Sequence, residues 1–303
     1  MHRRSALPRL QHRYGADQFD PLELTMRRAY TLIEIILTVA IAGILSMGMF
    51  KALEAIALRS EKAKALSTLS IDSQSALDQI SSLLYNRIPL SAVGFDFNDS
   101  RPYRPLDEVN DKTILEWYGS ADESYLSGDY SGFVDLNRSD FSTRTLYSPD
   151  TNLSALLVRE KIKWNDPSLD FSDLLLLFSQ TTFKGYGISG SLPNTITLGG
   201  TPPETIYEQY RIADSAYAIT RKEHAAACFP NPAFDDDTLL LFYDYRPWKG
   251  ENFCDGKVTV LATGVNAFRA QMLNGTIRLS IDMNRPVRGS LSPVKLSKQK
   301  VVF

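Results

Sequence analysis

Hydrophobic positions change their spacing as this chain proceeds. From Tyr30 to Phe50 they form a near-continuous run, YTLIEIILTVAIAGILSMGMF, interrupted by one charge at Glu34. From Leu53 onward they thin to Leu53, Ile56, Leu66, Leu69, Leu77, Ile80 and Leu84, broadly three or four residues apart. Glu54, Arg59, Lys62, Lys64, Asp72 and Asp78 lie between them. That spacing is the apolar stripe of an amphipathic helix, and no proline interrupts it before Pro89. The pattern predicts one helix over about 30–85, apolar all round in its first half and two-faced in its second. The stripe suits packing on the chain's own sheet as well as packing against neighbouring subunits.

Beyond Pro89 the spacing shortens. Residues 89 to about 151 are rich in Asp, Ser, Gly, Tyr and Pro and read as long loops with short strands. Their tyrosines, Tyr103, Tyr118, Tyr125, Tyr130 and Tyr147, are candidates for contact residues or for packing over a sheet. SALLVREKIKWN alternates through Val158, Lys161, Ile162 and Trp164 and is read as a strand. DLLLLFSQ, SAYAITRK and TLLLFYDY follow as further strands, and Asn274-Gly275 between two alternating runs predicts a hairpin. Strands that follow one helix without regular helical insertions predict an α+β chain with an antiparallel sheet.

The apolar run has a second meaning. Between Arg28 and Lys51 lie 22 residues with a single charge. As a helix they span roughly 33 Å, close to the ~30 Å hydrocarbon core of a bilayer. The run is too long for a cleaved secretory signal and continues into more helix. Arg27 and Arg28 on its leading flank favour a cytoplasmic N-terminus. A simple signal anchor would explain all of this except Glu34. A carboxylate inside a membrane helix is costly and calls for a partner, and no basic residue lies within the segment. An amine at the same depth would serve, such as a free N-terminus created by cleavage just before Tyr30.

The residues around Glu34 resemble a known signature. Ala29, Tyr30, Thr31, Leu32, Ile33 and Glu34 run without a gap into an apolar helix that carries Gly43. This is similar to the prepilin-peptidase site of type IV pilins and type II secretion pseudopilins, a match of about twenty-five residues. The resemblance implies a pilin-like fold: a long N-terminal helix packed on an antiparallel β-sheet ectodomain. It implies cleavage between Ala29 and Tyr30 by a prepilin peptidase, N-methylation of Tyr30, and pairing of Glu34 with the Tyr30 amine of an adjacent subunit. Residues 1–29 would be a removed cytoplasmic leader, with Met26 an alternative start. Residues 30–50 would be the transmembrane helix, 51–86 its amphipathic continuation and 87–303 a periplasmic or extracellular domain. Partners would be the peptidase, other pilin or pseudopilin subunits and inner-membrane lipid. Two departures narrow the expectation. Ala29 stands where the family usually has Gly, and Lys51 where major pilins often have a kinking Pro. The latter points to a minor pilin or pseudopilin, and the presence of Glu34 argues against the extreme tip position. VLATGVNAFRAQMLNGTIRLSI further resembles the closing strands of minor pseudopilins of the J/W type. The competing expectation is a monomeric, signal-anchored periplasmic protein with a binding or enzymatic ectodomain.

Other chemistry adds little. The net charge of −2 provides no global attraction to nucleic acid. The basic C-terminal tail, with Arg285, Arg288, Lys295, Lys298 and Lys300, leaves nucleic-acid contact open but has no interleaved aromatic platform. Its final Val301-Val302-Phe303 could add an edge strand, although a solvated tail is the ordinary reading. Cys228 and Cys254 favour one disulfide outside the cytoplasm. Free thiols, or a metal site shared with His224, are the alternatives. Asp235, Asp236 and Asp237 are candidate calcium ligands, as are Asp166, Asp170 and Asp173, but neither cluster has the spacing of a calcium loop. No Walker loop, Rossmann glycine pattern, nucleophile elbow or metalloprotease motif occurs. A non-enzymatic subunit without a cofactor is expected.

Overall fold

The computed structural model describes residues 31–95, 104–105, 113–140, 142–178, 185–201, 205–228, 234–273 and 275–303. Ala29, Tyr30, Tyr103 and Asn274, about which the sequence raised expectations, lie outside them. The chain is α+β. It opens with α1, an unbroken helix over Leu32–Tyr85 of 54 residues, close to the span expected. Two compact units divide within this helix, one ending at Ile56 and the other running from Ala57 to Phe303.

In the first unit every residue from Thr31 to Phe50 is exposed. Two hydroxyls on this apolar surface are satisfied by the helix itself: Thr38 Oγ1 donates to the Ile35 carbonyl at 2.8 Å and Ser46 Oγ to the Ala42 carbonyl at 2.7 Å. Such back-bonding leaves those two hydroxyls no need of water.

The second unit contains two antiparallel sheets. The larger is built on β3 (Ile114–Ser120) and β8 (Tyr210–Arg221), paired from Ile114↔Thr220 to Ser120↔Ala213. On the other side β8 is shared between two strands placed end to end. β5 (Leu175–Phe178) pairs with Tyr210–Ala213, and β9 (Leu239–Tyr245) pairs with Ala216–Arg221. The sheet therefore forks. The β5 branch continues through β6 (Gly185–Leu192) and β7 (Thr195–Leu198) to β4 (Thr145–Tyr147); the β9 branch ends at β10 (Lys257–Ala262). Short β1 (Val93–Phe95) and β2 (Arg104–Pro105) extend the β3 edge. The smaller sheet is β11 (Val265–Leu273), β12 (Thr276–Arg285) and β13 (Val294–Val302).

The lower half of α1 supplies the main core. Leu69, Ala76, Leu77, Ile80 and Leu84 pack with Leu115 and Trp117 of β3, Ile219 of β8, and Ile277, Leu279 and Ile281 of β12. The apolar stripe thus faces the chain's own sheets over this stretch, while Leu66 and Ile71 remain exposed. A second core lies under β4–β7, and a third covers the opposite face of β3, β8 and β9.

Several expectations need correction. SALLVREKIKWN is not a strand but α3, Leu153–Trp164. Its buried Leu153, Leu156, Glu160 and Trp164 follow helical spacing, the Asn152 side chain caps its start by accepting from Ala155 N–H, and Asn165 ends it in a left-handed conformation. Within the stretch expected as long loops with short strands, Ile114–Ser120 forms the fully buried β3. A short helix, α2 (Asp122–Leu126), follows it. The β6–β7 hairpin went unforeseen because its glycines and serines dilute the alternation. The basic tail is not a solvated extension: Val294–Val302 is a nine-residue edge strand paired with β12. The predicted hairpin joins β11 and β12, with Leu273↔Thr276 as its closing pair and Gly275 at φ +77°.

Candidate functional site

The first turn of α1 holds Leu32, Ile33 and Glu34, part of the stretch that resembles a prepilin-peptidase site. Thr31 initiates the helix through its carbonyl, which accepts from the N–H groups of Glu34 at 2.9 Å and Ile35 at 3.2 Å. Glu34 lies in the first turn, where the helix dipole favours a carboxylate. Among the described residues its side chain has no hydrogen-bond or ion-pair partner, and neighbouring Leu32, Ile33, Ile35 and Ile36 are all more than half exposed. A Cβ built on Gly43 would meet nothing within 4 Å, so that glycine answers no packing need among these residues. Among the described residues α1 is the one helix long and apolar enough to cross a membrane.

The chain's other candidates fall into ordinary structural roles. Cys228 and Cys254 form a disulfide with Cα atoms 5.0 Å apart, which removes both from the metal-site reading. His224 Nε2 lies 2.9 Å from Glu223 Oε1. Asp236 is bound by Lys222 Nζ at 2.7 Å, which holds its carboxyl below the usual range. The Asp235 and Asp237 carbonyls accept backbone bonds from Thr238 and Val265. Asp166 binds Ser168, and Asp170 and Asp173 complete a capping box. Of the basic tail residues, Lys298 Nζ donates to the Ser70 carbonyl of α1 at 2.7 Å and Lys300 Nζ pairs with Asp78 at 2.5 Å. Two of the five tail cations are therefore engaged on α1.

The tyrosine expectation divides. Tyr118 and Tyr130 are buried, and Tyr147 lies under Arg138 at 3.4 Å. Tyr125 reaches a cleft of about 390 Å³ that it lines with Pro89, Ser131, Phe133, Gln209 and Arg211. The Arg211 guanidinium stacks 4.4 Å above its ring.

No family model, no curated protein and no solved structure matches this chain.

Two groups of buried acids were not anticipated. Glu116 of β3 is raised to about 7 by burial, opposed by a hydrogen bond from Tyr245. Glu160 of α3 is raised to about 8 by burial and by Asp214, next to Lys163. Burial is the signal, and these acids carry none in one dimension. Glu160 sits within REKIK, a stretch with the polarity of an exposed helix, and Asp214 is one acid in a strand of alternating small residues. Only the tertiary fold closes over them.

Proposed function

We propose that this chain is a minor pilin or pseudopilin: a non-enzymatic subunit, trimmed by a prepilin peptidase after Ala29 and assembled into a type IV pilus or a type II secretion pseudopilus. One observation carries the reading. Glu34 stands as the lone charge in the first turn of an exposed apolar helix, four residues after Tyr30, with no partner among the described residues.

The physics follows from that carboxylate. Alone in a bilayer it costs on the order of 2.5–3.5 kcal/mol at mid-depth and less near an end. A cationic amine on Tyr30 of an adjacent subunit removes that cost at the moment of addition. Lateral packing of the apolar surface of α1 then sets register. The basic pair Arg27-Arg28 orients the N-terminus to the cytoplasm, and the β-rich domain lies in the periplasm, or outside in a surface pilus. A disulfide suits either compartment.

Mass spectrometry of the mature N-terminus tests this, using membranes from a host with its own prepilin peptidase. The expected chain begins at Tyr30, carrying one methyl group. A chain beginning at Met1 or Met26 in peptidase-positive cells refutes the reading and leaves a signal-anchored monomer.

A further inference from the structure

Strand β8 carries one acid, Asp214, and it is 2% exposed. Opposite it α3 presents Glu160, 0% exposed, and Lys163, one turn further on. Lys163 Nζ donates to Asp214 Oδ2 and lies 3.6 Å from Glu160 Oε2. Glu160 Oε2 and Asp214 Oδ1 are buried without a hydrogen-bond partner. Ser124 Oγ, from α2, donates to Glu160 Oε1 at 3.1 Å and fixes that side chain. The indole of Trp164, itself buried, covers Lys163 at 4.9 Å and meets the Tyr243 ring at 6.4 Å. One amine therefore reaches two buried carboxyls between two apolar cores.

We propose that Lys163 and Asp214 condense to an intramolecular amide, a covalent cross-link between α3 and β8, with Glu160 as the proton carrier. Two carboxyls gathered on one amine repel each other's charge, and burial together with Asp214 raises Glu160 to about 8. The starting state is then Lys163 ammonium, Asp214 carboxylate and Glu160 carboxylic acid. A proton passes from the ammonium to Asp214, leaving a neutral amine beside a neutral acid; burial favours this exchange, while Asp214 and Glu160 oppose it by holding the lysine charged. The Nζ lone pair attacks Asp214 Cγ. Glu160 takes a proton from the nitrogen and gives one to the departing hydroxyl. The Cγ–O bond breaks, the Nζ–Cγ bond remains, and one water leaves. Ammonium plus carboxylate becomes amide plus water, Glu160 ends as it began, and no oxidant or other reactant enters. The fold supplies the driving advantage: reacting groups held in contact behave as if at ~10⁵–10⁸ M.

A tryptic peptide map of the full chain, reduced and alkylated, decides the matter. The expected product joins residues 162–184 to residues 212–221 through Lys163 and Asp214, one water lighter than the two peptides together and uncut after Lys163. Glu160→Gln, nearly isosteric, is expected to keep the far-ultraviolet circular dichroism of the wild type while lowering the cross-linked fraction at least tenfold at matched times after synthesis. One proton-transfer group contributes roughly 10²–10⁴-fold in rate, so a tenfold fall lies below the smallest loss expected. Cleavage after Lys163 in the wild type, with the two peptides separate, overturns the proposal and leaves a buried ion pair. A Glu160→Gln variant that cross-links as fully as the wild type overturns the role of Glu160. Neither result depends on filament assembly.

Discussion

The Tyr245 hydroxyl donates a 2.7 Å hydrogen bond to Glu116 Oε2 inside an otherwise apolar cluster. The other carboxylate oxygen, Oε1, is buried without a hydrogen-bond partner. One bond does not offset the removal of a carboxylate from water, so burial raises Glu116 to about 7.

The consequence is a stability that falls as pH rises. A carboxyl whose folded value lies above its unfolded one contributes its full stability below the unfolded value, about 4.5, and loses it on the way through 7. The loss expected between pH 4.5 and 8 is on the order of 3 kcal/mol. Glu116→Gln cannot ionise and should flatten this slope. Denaturant midpoints measured across that range, variant against wild type, check it; parallel curves would mean that Glu116 titrates alike in the folded and unfolded chain.

Glu34→Gln removes the charge and keeps the shape. Membrane insertion should become slightly easier, while incorporation into filaments falls several-fold at equal expression. Counting the subunit in sheared or purified filaments by immunoblot distinguishes the outcomes. Equal incorporation would sink the amine-pairing mechanism.

The two faces of α1 should respond differently to truncation. Ile80 is fully buried against the sheets, and Ile71 is 66% exposed. Ile80→Ala should cost about 2–5 kcal/mol through lost burial and a residual cavity. Ile71→Ala should stay within ~0.5 kcal/mol in the isolated protein. Urea unfolding of both variants makes the comparison. An assembly defect in Ile71→Ala without a stability defect would assign that position to contacts between subunits.

Paired replacement of Cys228 and Cys254 by serine should destabilise the domain by about 3 kcal/mol in the chain-entropy estimate. The bridge ties together residues 26 apart in sequence, on the sheet face carrying Phe242 and Phe253. Thermal unfolding with and without reductant should show the same loss in the wild type, and no further loss in the double variant.

The structure also bears on nucleic-acid binding by the basic strand. Lys298 and Lys300 are engaged with Ser70 and Asp78 on α1. If binding exists, its salt slope should fall on removal of Arg285, Arg288 and Lys295 more than on removal of the two engaged lysines.

Much was written in the sequence. The span of α1 follows from an apolar run joined to a three-and-four spacing with no proline, a local property that needs no partner to be read. The runs LLLF at 175–178 and LLLFYDY at 239–245 became buried strands, and Asn274-Gly275 marked the β11–β12 hairpin. Glu34 stood out because a single charge in an apolar run is visible without coordinates.

Tertiary structure decided the rest, for one physical reason: burial and pairing join residues far apart in the chain. LVREKIKW fits a strand by alternation, but Asn152 caps it as a helix and its Leu153, Leu156 and Trp164 face then closes over the sheet. The forked sheet depends on β5 and β9 sharing the two ends of β8, a division no local pattern encodes. The tail became a strand because β12 offered it an edge and α1 offered carbonyl and carboxylate partners to its lysines. Glu116, Glu160 and Asp214 read as ordinary surface acids until the fold removed water from them. The raised carboxyls of Glu116 and Glu160, and the chemistry proposed for Lys163 and Asp214, belong to the folded chain alone.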